Sequence, residues 1–177
     1  MATAAESLTG APLDITTMRR RHLRAVLKIE QQVYPRPWSL GLFLSELALR
    51  STRVYLVAKS GPAVVGYAGL MLTGSDGHVT TIAVDPECHR SGIGTRLLLA
   101  LTREGIAAGC TALTLEVRVS NEAAQAMYRM FGYAPAGVRK NYYSETNEDA
   151  IVMWAHDVDL PAYADRLDAI HAELASR

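Results

Sequence analysis

At 177 residues and 49% hydrophobic content, the chain holds enough apolar material for one substantial core and is short for two ordinary domains. Its 18 basic and 18 acidic residues cancel, which argues against a whole-molecule field aimed at nucleic acid or an anionic membrane, so any anion binding is local. Cys88 and Cys110 form no CxxC pair and lie beside no histidine at zinc spacing; they read as free thiols in a reducing, cytoplasmic compartment, with no metal. No signal-peptide pattern opens the chain and no run approaches the roughly 18 apolar residues of a membrane span, so neither export nor anchoring is expected.

Residues 1–12 are small and polar and predict a disordered tail, because they offer too little apolar surface to offset the entropy of ordering. One folded domain is expected over residues 13–158, followed by a helical tail over 159–177. A short strand at 14–18 leads to a helix whose Leu23, Val26, Leu27, Glu30 and Val33 share one face. Arg19, Arg20, Arg21 and Arg24 read as a solvated helix face and entry turn rather than as a ligand patch. Pro35 and Pro37 interrupt the helix. Ser39 then caps a second one, with Leu40, Phe43, Leu44, Leu47 and Ala48 as a core-facing stripe. Two β-rich runs, 53–59 and 64–72, flank Ser60-Gly61-Pro62-Ala63 as a hairpin.

A third strand at 77–84 opens an alternating region: helix 93–107, strand 112–118 and helix 121–131, which calls for parallel pairing. Strands at 138–143 and 150–157 close a mixed, largely antiparallel sheet with helices on both faces. After Asp159, Leu160, Tyr163, Leu167, Ile170 and Leu174 form a short heptad-like stripe. It serves either packing on its own domain or a dimer seam, so a monomer or weak dimer is expected. No repeat or low-complexity block is present.

The segment that carries most chemistry runs from Thr81-Ile82-Ala83-Val84-Asp85-Pro86 through His89-Arg90-Ser91-Gly92-Ile93-Gly94-Thr95. A strand, a compact loop, two glycines and a helix start make an anion site, because glycine admits close backbone approach and the unpaired amides of a helix N-terminus point at the ligand. A dinucleotide-binding fingerprint would need a third glycine at Leu97, and a P-loop would need Gly-Lys-Ser/Thr. Neither is satisfied.

The same segment resembles motif A of the GNAT acetyltransferases, Gln/Arg-x-x-Gly-x-Gly/Ala behind an apolar strand ending in Val-Asp-Pro, with His89 at the usual Gln or Arg position. The resemblance covers about residues 15–157 and implies the α/β (α+β) GNAT fold, with a mixed, mostly antiparallel sheet of about six to seven strands. It implies acetyl-CoA as co-substrate. Ile82, Ala83 and Val84 would meet the acetyl and pantetheine arm, and His89, Arg90, Ser91, Gly92, Ile93, Gly94 and Thr95 the pyrophosphate. The run Leu115-Glu116-Val117-Arg118-Val119-Ser120-Asn121 with Tyr128 and Phe131-Gly132-Tyr133 is similar to the RimI branch, the ribosomal-protein alanine N-acetyltransferases. Pro37-Trp38-Ser39, Arg139-Lys140-Asn141-Tyr142-Tyr143 and Glu148-Asp149-Ala150 agree with it.

Acetyl transfer to an amine requires a neutral nucleophile, a polarised thioester carbonyl and a proton for the leaving thiolate. The resemblance makes Glu116 the proton acceptor, directly or through water, Tyr128 the acid, and Asn121 a coenzyme contact as well as a helix cap. An unperturbed glutamate near 4.3 is a weak acceptor, so burial or a water relay is expected; the competing role for Glu116 is pairing with a nearby cation such as Arg118. Tyr34, Trp38, Tyr142 and Tyr143 serve either as walls of a peptide groove or as packing residues. His22, His78, His156 and His171 have no paired metal spacing and read as structural or surface residues. The acceptor implied is a protein N-terminus, the alanine of ribosomal small-subunit protein 18. The alternatives are a lysine or small-amine acetyltransferase, and a non-catalytic acyl-CoA sensor or scaffold.

Overall fold

The computed structural model describes residues 12–176; the tail expected at the start lies outside them apart from Pro12. Among the described residues, the strands are β1 (Leu13–Thr17), β2 (Arg53–Ser60), β3 (Ala63–Thr73), β4 (Asp76–Val84), β5 (Ala112–Arg118), β6 (Ala134–Tyr143) and β7 (Glu148–His156). The helices are α1 (Leu23–Val33), α2 (Leu40–Ala48), α3 (Ile93–Ala107), α4 (Glu122–Met130) and α5 (Pro161–Ala175). The strands form one sheet in the order β1-β2-β3-β4-β5-β7-β6. β1 with β2, β2 with β3, β5 with β7 and β6 with β7 run antiparallel, and β4 runs parallel to β5. The helical alternation between β4 and β5 explains that one parallel pair, since a parallel neighbour needs a crossover connection.

The chain divides into two compact units, one taking the chain up to Met71 with Thr80–Leu101, the other Leu72–Val79 with Thr102 onward. In the first unit, Ser39 begins α2 by accepting the Leu42 amide at 3.2 Å, as an N-cap serine should. Phe43 is fully buried, whereas Leu40 is 49% exposed and Ala48 is exposed. The stripe expected on α2 therefore reaches the core through only part of its length. The core here combines Val26 and Ile29 of α1 with Phe43, Val57 and Tyr67.

Both faces of β3 carry helices, because successive side chains alternate. The Tyr67 hydroxyl donates to Glu30 of α1. A Cβ at neighbouring Gly66 would meet Leu97 and Ile93 of α3 at 3.0 and 3.2 Å, and the Ala83 carbonyl at 3.0 Å. Gly66 thus admits the start of α3 close against the sheet.

In the second unit, β5 alternates cleanly: Leu113, Leu115 and Val117 are buried, and Thr114, Glu116 and Arg118 share the other, partly open face. α5 buries Tyr163, Leu167, Ile170 and Leu174 and leaves Leu160 half exposed. Within the single chain, this stripe is covered. The Tyr163 hydroxyl donates to the Phe131 carbonyl at 2.7 Å. β6 is the last strand of the sheet, exposed along almost its whole length, with register shifts at Pro135/Gly137 and Arg139/Tyr143. No described helix is long and apolar enough to cross a membrane.

Candidate active site

The first unit contains the glycine-bearing loop. Asp85 starts a short turn over Pro86–Cys88, its carboxylate accepting the Glu87 amide at 3.0 Å. The Ser91 hydroxyl donates to the Cys88 carbonyl at 2.5 Å, and the His89 ring lies 3.0 Å from the Val84 carbonyl through Nε2. His89, at the position of the expected Gln or Arg, therefore ties the loop back to the end of β4. Arg90 and Gly92 adopt left-handed φ values of 62° and 76°. Alternation of left- and right-handed residues turns successive amides toward one concavity, the geometry of an anion nest. The helix follows at once: the Arg96 amide donates to the Gly92 carbonyl at 3.0 Å. The amides of Ile93, Gly94 and Thr95 occupy the first turn, where a helix offers no acceptor. Such a backbone can hold an anion.

Tyr34 and Trp38 belong to the same unit. The Tyr34 hydroxyl donates to the Ile82 carbonyl at 3.0 Å and lies 3.4 Å from the Thr81 hydroxyl. The Trp38 amide donates to Glu30 at 2.8 Å, and its ring tilts onto Phe43 at 5.3 Å. Both rings pack partly buried against the core cluster. Burial pushes the Glu30 carboxyl above its usual pKa, against the opposing effect of the Trp38 amide. Arg21, with Lys28 and Lys59, lines a cavity of about 500 Å³ beside the turn of the β2–β3 hairpin; Arg19, Arg20, Arg21 and Arg24 are all exposed.

The second unit contains Glu116. Its carboxylate is 11% exposed and lies 2.5 Å from His78 Nε2, with Arg139 Nε at 3.4 Å from the other oxygen. The parallel register sets His78 beside Thr114, and Glu116 stands two residues further along the same face of β5. The hydrogen bond from His78 outweighs burial and, with Arg139, holds the Glu116 carboxyl below its usual pKa. This corrects the expectation that burial raises it: the carboxylate is partnered as well as desolvated. His78, read from the sequence as a structural or surface residue, is the partner of that carboxylate. The sequence carried one weak signal for it, a histidine in phase with Thr80 and Ile82 on the strand before the loop; the register that brings it to Glu116 is not written in the pattern.

The competing reading, a nearby cation beside Glu116, holds for Arg139 and not for the example it named, Arg118. Its guanidinium forks to Glu145 at 3.0 Å and Glu148 at 3.3 Å and lies 3.8 Å from the centroid of the Tyr143 ring. The Tyr143 hydroxyl stands 3.5 Å from the Glu116 carbonyl, Tyr142 meets Tyr143 edge-on at 5.1 Å, and Arg139 lies over Tyr142 at 5.7 Å. Burial and the Glu116 charge push the Tyr142 phenol up. The structure thus brings Glu116, Tyr142 and Tyr143 together with two residues the sequence reading did not assign, His78 and Arg139. Asn121 caps α4, its side chain accepting the Ala124 amide at 3.1 Å. Tyr128, 5% exposed, faces Tyr133 with ring centroids 5.8 Å apart. Among the described residues, no three His, Cys, Asp or Glu side chains group as metal ligands.

Comparison with known proteins agrees with this architecture. The profile of the acetyltransferase (GNAT) family matches residues 23–133. The [ribosomal protein bS18]-alanine N-acetyltransferase of Escherichia coli K12 is 36% identical over 141 residues, covering 78% of this chain and 94% of that protein. The N-alpha-acetyltransferase RimI of Mycobacterium tuberculosis is 36% identical over 151 residues, covering 80% and 91%. The crystal structure of the Escherichia coli ribosomal-protein-S18-alanine N-acetyltransferase superposes with a TM-score of 0.75 at 32% identity, over 82% of this chain and 94% of that one. A glycine-bearing loop that opens α3, a partnered carboxylate on β5 and these likenesses lead to one conclusion: this chain is an acetyltransferase of the GNAT family.

Proposed function

We propose that this chain is a cytoplasmic enzyme that transfers the acetyl group of acetyl-CoA to a protein N-terminus, with the N-terminal alanine of ribosomal protein bS18 as its acceptor. Similarity to enzymes named for that reaction supports the substrate. The observation that carries the chemistry is Glu116 in contact with His78 and Arg139.

A carboxylate held below its usual pKa is a poor acceptor for a proton from lysine, near 10.4, but an N-terminal α-amine near 7.7–8.0 is already substantially neutral at cellular pH. The lowered Glu116 therefore suits an α-amine. Glu116 orients the amine and takes its proton, directly or through water, and His78 stabilises the carboxylate's position and shares the charge. Acetyl-CoA supplies the acetyl thioester. As the amine nitrogen bonds to the carbonyl carbon, the carbon–sulfur bond breaks, and the Tyr128 hydroxyl gives its proton to the sulfur. The loop amides of residues 89–95, with the side chain of Arg90, hold the diphosphate; the backbone of Ile82, Ala83 and Val84 lies along the thioester arm; and Asn121 adds a coenzyme contact. Tyr34, Trp38, Tyr142 and Tyr143 bound the acceptor peptide.

The test measures thiol release from acetyl-CoA with an alanine-terminated peptide and with a matched N-terminally blocked peptide carrying lysine. Turnover with the first alone, lost in Glu116→Gln and Tyr128→Phe, is expected. Turnover with the lysine peptide moves the acceptor class, and coenzyme binding without turnover on either favours a sensor or scaffold.

A further inference from the structure

We infer that Arg118 is a positioning residue for the acceptor side of the site: it clamps the turn of the β6–β7 hairpin so that Tyr142, Tyr143 and Arg139 stand against Glu116. The inference rests on the proposed role of that wall in receiving the acceptor.

The turn at residues 144–147 is exposed, with its own short-range bonds from the Thr146 amide to the Tyr143 carbonyl at 3.1 Å and from the Asn147 amide to the Ser144 carbonyl at 3.4 Å. One side chain from β5 anchors it at several points. Arg118 Nη2 donates to Glu145 at 3.0 Å, and Nη1 donates to the Thr146 hydroxyl at 2.6 Å and to Glu148 at 3.3 Å. Its guanidinium plane also lies 3.8 Å from the Tyr143 ring centroid. Arg118 is only 21% exposed, and its two carboxylate partners are 23% and 18% exposed, so the network is screened less than a surface pair. The far end of the clamp is fixed as well: the Gln125 amide group donates to the Arg118 and Val119 carbonyls at 3.1 and 3.0 Å, and Glu148 accepts from the Ser120 amide at 2.9 Å.

The clamp connects to the base by a closed circuit. Arg118 and Glu116 lie two apart on one face of β5. From Arg118 the contacts run to Tyr143, on to Tyr142, then to Arg139, whose guanidinium returns to Glu116. Releasing the turn loosens each of these contacts. Lysine cannot replace arginine here, because an ammonium offers neither the planar fork nor the stacking face.

The experiment uses the full chain and compares wild type with Arg118→Gln, Arg118→Lys and Glu145→Gln. Amide hydrogen exchange over residues 140–148 and steady-state kinetics with acetyl-CoA and an alanine-terminated peptide are read together. In Arg118→Gln, exchange in that hairpin accelerates while residues 112–117 keep their protection. The acceptor KM rises about tenfold, and the acetyl-CoA KM stays within about twofold. Arg118→Lys recovers only part of the loss. Glu145→Gln, which removes one arm of the clamp, gives a smaller change of the same kind and serves if Arg118→Gln does not fold. Unchanged hairpin exchange, or KM values for both substrates rising together, overturns the inference. A wild-type enzyme inactive on every amine removes the functional reading and the positioning role with it; wild-type turnover with an unmoved acceptor KM in Arg118→Gln removes the positioning role alone.

Discussion

Replacing His78 by alanine separates the electrostatics of Glu116 from its mere presence. The Glu116 carboxylate is 11% exposed and loses its 2.5 Å partner in this variant, keeping only Arg139 at 3.4 Å. A hydrogen bond to a charged group contributes about 1.5–3 kcal/mol, so its loss lets the Glu116 pKa rise in His78→Ala. The sign follows: a protonated Glu116 cannot take the amine proton, so the acidic limb of kcat/KM for the peptide moves to higher pH. Near pH 8 both enzymes hold Glu116 ionised, and the remaining loss, about 10- to 100-fold, measures orientation and proton sharing. His78→Gln, which keeps a donor, should recover part of it. The assay is the pH profile of thiol release under subsaturating peptide with saturating acetyl-CoA. An acidic limb and a plateau in His78→Ala both equal to wild type would refute the assignment of His78 to the base.

Three further outcomes follow from other parts of the structure. Burial raises the Glu30 pKa above 4.5, so its contribution to stability is fully present below that value and declines as pH rises through the folded pKa. Glu30→Gln, whose amide can accept from Trp38 and donate to Tyr67, should therefore gain Tm on wild type between pH 5 and 8; a constant offset across that range would contradict the argument. Leu167→Ala opens a cavity under α5, where Leu167 is 3% exposed. It should cost about 2–5 kcal/mol and lower Tm by about 5–15 °C in a thermal melt, whereas an unchanged Tm would mean that the helix is not docked. Gly92→Val places a β-branched residue at φ 76° and a side chain against the amide nest. Its acetyl-CoA KM should rise at least about tenfold by initial-rate kinetics, with the peptide KM nearly constant, and an unaltered coenzyme KM would displace the diphosphate from that loop.

Local rules are legible in this sequence and register is not. The Ser39 cap, the Ser60–Ala63 turn and the span of α3 follow from side-chain chemistry that acts within a few residues, and the structure places α3 at Ile93–Ala107 as the pattern predicts. The alternation between β4 and β5 likewise foretells a parallel pair. Which residues then face each other depends on how α3 returns the chain, and this decided the identity of the Glu116 partner. His78 is 38 residues from Glu116, and no local periodicity links them. The same blindness made Arg118 the example offered for an alternative partner of Glu116: strand neighbours two apart look like partners in a sequence, but Arg118 is drawn away by carboxylates on the β6–β7 hairpin. On α2 the failure was of another kind. The helical period correctly identifies Phe43, yet a helix at the rim covers only part of its apolar stripe, and Leu40 stays in water.

The register shifts along β6 bear on behaviour at high concentration. A ten-residue edge strand with a straight, unbroken row of amides and carbonyls invites another chain to add itself, which is how sheets begin to polymerise. Here the ladder breaks at Pro135/Gly137 and again at Arg139/Tyr143, Asn141 turns left-handed at φ 49°, and Lys140 is 84% exposed at the centre of the strand. Proline removes a donor, each bulge twists the edge out of line, and the lysine would have to be desolvated by any incoming strand. The irregularity of β6 is thus a guard against fibre formation, and smoothing the strand into regular alternation should yield a chain that aggregates.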